Sequence, residues 1–320
     1  MAGLKLKTKD FAKRLIVKTN YSLGNYDKTI WILGDGRSGT TWVSGLINRD
    51  ATYRDMFEPV HPKRVSAFKN HMPHRYIRPG EVDVETNSLF RSILTGEFCH
   101  SSVDRDNHTL FFKGILIKDI FANLLSYAIT QNHSHVKPIL LMRNPFAVAL
   151  SKAKKKNWFW ETEPLNLLKQ KQLFDDHLAP FESLIVKISA KKDFILNQIL
   201  IWCIINYVPL KQFKEGELHT CFYEDIYENP NSEIANIERY ISGNVVATST
   251  PLEMSKISKP SRVVGNHSNI VAGTSPITSW QEEVDDETYE MGLDILRNFG
   301  FDKLYNEKGM PVREVLKSIP

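Results

Sequence analysis

Apolar residues along the chain fall into short blocks separated by glycine turns and polar loops. The first block, residues 28–33 (Lys-Thr-Ile-Trp-Ile-Leu), is a β-branched run without alternation. Such runs are buried on both faces of a parallel sheet. A glycine-rich turn follows at Gly34–Gly39, and Thr40 to Asn48 carries Trp42, Val43, Leu46 and Ile47 at helical spacing. Strand, glycine turn, helix is the opening unit of a doubly wound α/β sheet. The unit recurs at 136–142, which turns at Arg143-Asn144-Pro145 and continues as a helix through Phe146, Val148, Ala149 and Leu150. Between them lie a loop-rich stretch around residues 55–85 and a strand–helix pair within 110–131. Residues 193–214 read as helix, with the run Ile199–Ile205 as core, and 217–223 as another strand. Asp285 or Asp286 is placed to cap a last helix with the stripe Tyr289, Leu293 and Leu296, which Gly300 stops.

Composition narrows this picture. With 42% hydrophobic and 11% aromatic residues, the 320-residue chain is no disordered segment. It shows no internal repeat, no low-complexity block and no Gly/Ser/Pro-rich linker. The expectation is one α/β domain over residues 28–320, preceded by a basic lead-in at 1–27. Lys5, Lys7, Lys9, Lys13, Arg14 and Lys18 break up any signal-peptide core there. The lead-in reads as a charged segment docked loosely on the domain. The alternative is a membrane-surface helix with Leu4, Phe11, Leu15 and Ile16 on its apolar side, a peripheral contact. The run Ile199–Ile205 is far short of the roughly 18 apolar residues of a membrane span. Cys99, Cys203 and Cys221 are widely spaced, odd in number and without a CxxC pair, which argues against a disulfide framework and a zinc site. A reducing cytoplasm is the expected compartment. The 41 basic residues are nearly matched by 37 acidic ones, too balanced for a nucleic-acid binder. The small excess leans toward anionic ligands.

Candidate chemistry sits at two strand ends. Gly34-Asp-Gly-Arg-Ser-Gly39-Thr40-Thr41 nearly matches the phosphate-loop pattern GxxxxGK[ST], but Thr40 stands at the lysine position. Backbone N–H groups and the helix dipole still make an anion cradle, and Arg37 supplies a cation from within the loop. A nucleotide kinase or NTPase using the ordinary lysine and magnesium is disfavoured. The second anchor is Arg143, where a strand stops, with Pro145 opening a helix and Ser151 two helical turns on. Arg143 and Ser151 can share one anion only if the turn folds back. Two anion sites at one sheet edge would span a nucleotide with phosphate groups at two places.

These motifs resemble the sulfotransferase family that uses 3′-phosphoadenosine 5′-phosphosulfate (PAPS). Arg37-Ser-Gly-Thr-Thr-Trp42 resembles its 5′-phosphosulfate loop, and Arg143-Asn-Pro with Ser151 its 3′-phosphate motif. Phe222-Tyr-Glu-Asp-Ile-Tyr-Glu-Asn-Pro230 is similar to a third family segment, and Trp280 with the following helix to a C-terminal signature. The resemblance implies a central parallel sheet flanked by helices, the P-loop-containing, NTPase-like sulfotransferase fold. It implies PAPS as co-substrate, the bisphosphate PAP as product, and no metal. Arg37, Ser38, Gly39, Thr40, Thr41 and Trp42 would hold the 5′-phosphosulfate, and Arg143 and Ser151 the 3′-phosphate. Tyr223 would line the adenine pocket, and Arg262, with Lys256, Lys259 and Ser261, would stand in for the lid loop that is not recognisable here. Arg37 occupies a position where cytosolic small-molecule enzymes carry lysine, whereas arginine is usual in the carbohydrate and tyrosyl-protein branches.

Sulfuryl transfer needs a bound donor, an in-line nucleophile and cations over the transferring group. Arg37 is the first choice for that charge, with Lys118, then Lys113, assisting. Phe57-Glu-Pro-Val-His61 resembles the Glu-Pro segment of carbohydrate-type enzymes, which makes Glu58 the leading general base and His61 the alternative. The basic run Lys152–Lys156 reads as a solvated helix end or a steering flank, and Trp158 and Trp160 as core aromatics or a stacking platform. The acceptor expected is a hydroxyl on a carbohydrate, glycolipid or small molecule. A catalytically inactive nucleotide-binding module is the remaining rival.

Overall fold

The computed structural model describes residues 2–26, 28–107, 109–155, 158, 160–243 and 275–319, with side chains from residue 11 onward. Its centre is a parallel five-stranded sheet: β1 (Thr29–Gly34), β2 (Arg54–Phe57), β3 (Ile115–Asp119), β4 (Val136–Met142) and β5 (His219–Phe222), in the order β2-β3-β1-β4-β5. The chain leaves β1 toward β2 and β3 on one side, then crosses to β4 and β5 on the other. The switch point therefore lies between β1 and β4, where open α/β sheets bind ligands at the carboxyl ends of the strands. Register pairs Phe57 with Lys118, Leu33 with both Asp119 and Leu140, and Met142 with Phe222. All five strands thus end along one edge.

Both sheet faces are covered, which is why β1 and β3 are buried throughout, the charged Lys118 and Asp119 at the end of β3 included. On one face α2 (Thr40–Ile47) and the helix Pro230–Ser242 place Trp42, Val43, Leu46, Ile234 and Ile237 against Ile30, Ile32, Ile139 and Leu141. On the other, α3 (Val84–Leu94), α4 (Ser126–Thr130), α5 (Pro145–Ala153) and the helix Phe194–Gln212 cover Trp31, Leu33, Ile117 and Leu140. Phe194–Gln212 is long and apolar enough to cross a membrane, yet it packs between α5 and the helix Asp286–Asn298 and is buried from Leu196 to Pro209. A helix covered on every side needs no polar face. Asp285 caps the helix Asp286–Asn298 by accepting from the Thr288 N–H, as its sequence suggested.

Three features depart from the reading of the sequence. The stretch near 55–85 begins with β2, whose first residue, Arg54, is buried and bonded to Asp104 at 2.8 Å and to the Gly96 carbonyl at 2.7 Å. A charged residue masked that strand. A further helix, α3, is capped by the Asp83 carboxylate on the Thr86 N–H. The basic lead-in is a helix, α1 (Ala2–Ser22), fixed rather than loose: the buried Asn20 donates to the Leu110 carbonyl at 2.7 Å and accepts from the Phe112 N–H at 2.9 Å.

Candidate functional site

β1 delivers the loop at the switch point. Arg37 (φ 74°) and Gly39 (φ 95°) both take left-handed backbone there. For arginine this conformation costs about 1–3 kcal/mol, strain of the kind that gathers at ligand sites. The glycines are required by close approach. A Cβ on Gly36 would lie 2.3 Å from the Trp158 ring, and one on Gly39 2.5 Å from the Tyr223 ring. The Ser38 amide and hydroxyl both turn back on the Asp35 carbonyl, and Trp42 and Val43 donate to the Gly39 carbonyl. The Thr40 and Thr41 amides, in the first turn of α2, precede any carbonyl four residues back, so they are open to an anion. The Trp42 side chain is buried between Tyr223 and Tyr227, with ring centroids 5.3 and 6.5 Å away.

The second anchor meets the first directly. Arg37 Nε donates to Ser151 Oγ at 3.0 Å, joining residues 114 positions apart. Arg143 donates to the carbonyls of Arg37 at 3.0 Å and Pro276 at 2.8 Å, with its guanidinium 4.3 Å from the centre of the Tyr223 ring. Arg143 Nε is buried with no partner among the described residues. Arg37 bridges Arg143 and Ser151: its side chain donates to the Ser151 hydroxyl, and its carbonyl accepts from Arg143. Burial, then the like charge of Arg143, pushes the Arg37 pKa below its ordinary value. Among the described residues neither guanidinium pairs with a carboxylate. Two adjacent cations without a carboxylate salt-bridge partner among the described residues favour an anion beside them.

Beneath the loop lies a contact that the sequence hid. Lys152 is not part of a solvated basic flank: its ammonium is buried, 2.6 Å from Asp35 Oδ2 and 2.8 Å from Gln198 Oε1. Burial raises the Asp35 pKa and lowers that of Lys152, and each is opposed by the partner's charge. Asp35 lies at the start of the loop and Lys152 follows Ser151, so the pair ties the two anchors together. Farther along, Lys154 pairs with Glu283 at the surface. Trp158 lies against the loop at Gly36, and Trp160 packs edge-on to His61 and Phe121, with centroids 4.7 and 5.2 Å away.

β2 and β3 bring the third group. Glu58 follows β2 with left-handed backbone (φ 47°), and its Oε1 is 2.5 Å from Lys118 Nζ on β3. His61 Nε2 and Arg64 Nη1 each stand 3.9 Å from Glu58 Oε2. His61 Nδ1 accepts from the Lys63 and Arg64 amides, both at 3.1 Å, so the neutral ring carries its proton on Nε2. Burial pushes the His61 pKa down to about 4. Asp119, fully buried, accepts from the Val60 and Phe121 amides at 3.0 and 2.8 Å and braces this turn; burial raises its carboxyl to about 7. Burial, then the like charge of Arg37, lowers the Lys155 pKa, and the Glu58 charge opposes this. Lys113 is exposed beside Tyr53, at 4.8 Å from its ring.

At β5, Tyr223 is buried under the loop against Gly39, Trp42 and Arg143. Glu224 accepts from the Asn144 N–H at 2.8 Å, and burial raises its carboxyl to about 7. Arg262, Lys256, Lys259 and Ser261 lie outside the described residues. Sequence reasoning missed Asp35, Lys152 and Asp119. Of these only Asp35, within the glycine loop, left a local signal.

A family model described as a sulfotransferase domain matches residues 27–262. Among solved structures, the chain is similar to a sulfotransferase from Alicyclobacillus acidocaldarius at 12% identity and TM-score 0.37, over 82% of this chain and 98% of that one. It is also similar to the sulfotransferase domain of the curacin biosynthetic pathway (13% identity, TM-score 0.40, 91% and 96% covered). A third is retinol dehydratase in complex with androsterone and the inactive cofactor PAP (13%, 0.38, 90% and 88%). No curated protein gives a significant sequence match. The family model takes in the glycine loop, the Arg143–Ser151 anchor and every strand of the sheet, and the chain belongs to the sulfotransferase domain family.

Proposed function

We propose that this chain transfers a sulfuryl group from PAPS to an acceptor hydroxyl, with Glu58 as general base. The observation that carries the reading is the meeting of Arg37, Arg143 and Ser151, from two strand ends, in one cationic site without a carboxylate partner among the described residues. The residues fit a bisphosphorylated nucleotide. Among the described residues Arg143 Nε is buried without a partner and the Thr40 and Thr41 amides are open, and the Ser151 hydroxyl accepts from Arg37 and keeps its own proton to donate. Thr40, Thr41 and Arg37 would hold the 5′ side, with Ser38 shaping the loop through its bonds to the Asp35 carbonyl, and Arg143 and Ser151 the 3′ side. When bound, the donor supplies an activated sulfuryl group whose leaving group is a phosphate.

The chain's own groups divide the remaining work. Glu58 Oε1 is engaged by Lys118, which leaves Oε2 to take the hydroxyl proton. His61 is held as a donor at Nε2, a buried nitrogen without a hydrogen-bond partner among the described residues, and this favours Glu58 over His61 as base. Arg37 stabilises charge near the loop without reorganising. Arg37 in the loop and the Glu58-Pro59 segment, both resembling the carbohydrate branch, support a carbohydrate or glycolipid acceptor. Three free cysteines support a reducing, cytoplasmic compartment.

Calorimetric titration with PAP and with ATP tests the donor reading. PAP is expected to bind and ATP to bind far more weakly. Preference for ATP, or no binding of PAP, would overturn it.

A further inference from the structure

α1 presents to solvent the wrong kind of face for a surface helix. Its inward side carries Val17 and the buried polar Asn20, which is bonded to the 110–112 segment. On the opposite side Phe11 and Leu15, one turn apart, are 71% and 57% exposed. A solvated helix puts charged and polar residues there. The apolar surface continues beside the helix: Leu110 and Phe111, in the segment Asn20 holds, are 60% and 63% exposed, and Tyr21 and Leu23 are exposed as the helix ends. Six of the eight large hydrophobic residues most exposed among the described residues belong to this one region; Val84 and Val186 are the others. Scattered exposed leucines need no explanation, but a cluster does.

Charge says what covers it. Residues 2–22 hold six lysines and arginines against one acid, Asp10, a net +5. The whole chain carries only +4, so the remaining residues sum to −1. The entire basic excess of the protein therefore resides in this helix. Arg14 and Lys18 are exposed on it, flanking Phe11 and Leu15. A second copy of the chain would set +5 against +5, whereas an anionic bilayer accepts both the charge and the apolar side chains.

We propose that α1, with the Leu110–Phe111 tip beside it, is a docking surface for an anionic lipid bilayer. Phe11, Leu15, Leu110 and Phe111 insert at the headgroup boundary, and Arg14 and Lys18 meet the lipid phosphates. The surface is separate from the phosphate loop, so the inference stands whether or not the donor reading holds.

Co-sedimentation with vesicles of phosphatidylcholine, with and without phosphatidylglycerol, tests it. The full chain is expected to partition onto the phosphatidylglycerol vesicles, and by at least about tenfold less in molar salt, where charge attraction is screened. Phe11→Ser/Leu15→Ser is expected to lower partition about tenfold or more, from the apolar burial lost. Val84→Ser/Val186→Ser, elsewhere on the surface, is expected to leave it unchanged. Both pairs are solvent-facing, and unchanged circular dichroism confirms that each variant folds. No partition of the wild type would overturn the proposal, as would equal partition of the Phe11/Leu15 variant. A concentration-dependent dimer that this variant abolishes, with no vesicle binding, would assign the face to a second copy instead.

Discussion

Replacing Lys152 by methionine probes what holds the two phosphate anchors in register. The ammonium lies 2.6 Å from Asp35 Oδ2 and 2.8 Å from Gln198 Oε1, and both charged side chains are 2% exposed. Removing one partner of such a pair strands the other charge in a low-dielectric interior, at about 3–5 kcal/mol. Against a typical folding free energy of about 5–15 kcal/mol, that lowers the melting temperature by on the order of 10 °C. The double variant Asp35→Asn/Lys152→Met leaves no buried charge and is expected to regain most of that loss, because a buried pair exchanged for neutral groups is often near neutral. Urea unfolding of the wild type, both single variants and the double variant closes a mutant cycle, with an expected coupling of at least about 2 kcal/mol. Calorimetry with PAP on the same set gives the functional side. The double variant should be stable yet bind PAP more weakly, because the loop and α5 are no longer tied. A Lys152→Met cost below about 1 kcal/mol, or no recovery in the double variant, would refute the reasoning.

Other perturbations separate the parts of the site. Arg143→Ala should weaken PAP about 10–100-fold, the worth of charge-assisted hydrogen bonds, as read by calorimetry; unchanged affinity would remove Arg143 from the 3′ side. Gly39→Ala forces a Cβ to within 2.5 Å of the Tyr223 ring at φ 95°. It should cost about 1–3 kcal/mol of stability in urea titration and lower PAP affinity. For Asp119, the carboxyl sits at about 7 in the folded chain against an ordinary 3.8, so the folded state holds the proton more tightly. That contribution is complete below the ordinary value and is lost as pH rises through 7. Wild-type stability should therefore fall relative to Asp119→Asn over that window, by up to about 1.4 kcal/mol per pH unit. A difference that stays flat across the window would exclude a raised Asp119.

What could be read in advance was local. β1 and β4 announce themselves by short apolar runs, and the loop between β1 and α2 by the spacing of its glycines, because burial on both faces and close backbone approach leave their marks in consecutive residues. Arg54 hid β2, since its charge is paid for by Asp104, fifty positions away. Lys152 looked like one lysine in a solvated run for the same reason: Asp35 and Gln198 come to it from other elements. The Arg37–Ser151 bond was not legible, because the helix direction fixes Ser151 and the loop brings Arg37 across to it. His61 could be named as a titratable candidate from its neighbours in sequence, but its tautomer is set by two backbone amides that only the folded turn supplies. The apolar stripe of α1 was visible; the Asn20 contacts with the 110–112 segment, which turn Phe11 and Leu15 outward, were not.

The most direct measurement is transfer of labelled sulfate from PAPS to a panel of hydroxyl acceptors, by the wild type and by Glu58→Gln side by side. The wild type is expected to label at least one acceptor, and Glu58→Gln to do so about 10²–10⁴-fold more slowly while binding PAP with unchanged affinity. Turnover by Glu58→Gln at the wild-type rate would contradict Glu58 as the base, and a wild type that neither binds PAP nor releases sulfate from PAPS would contradict sulfuryl transfer itself.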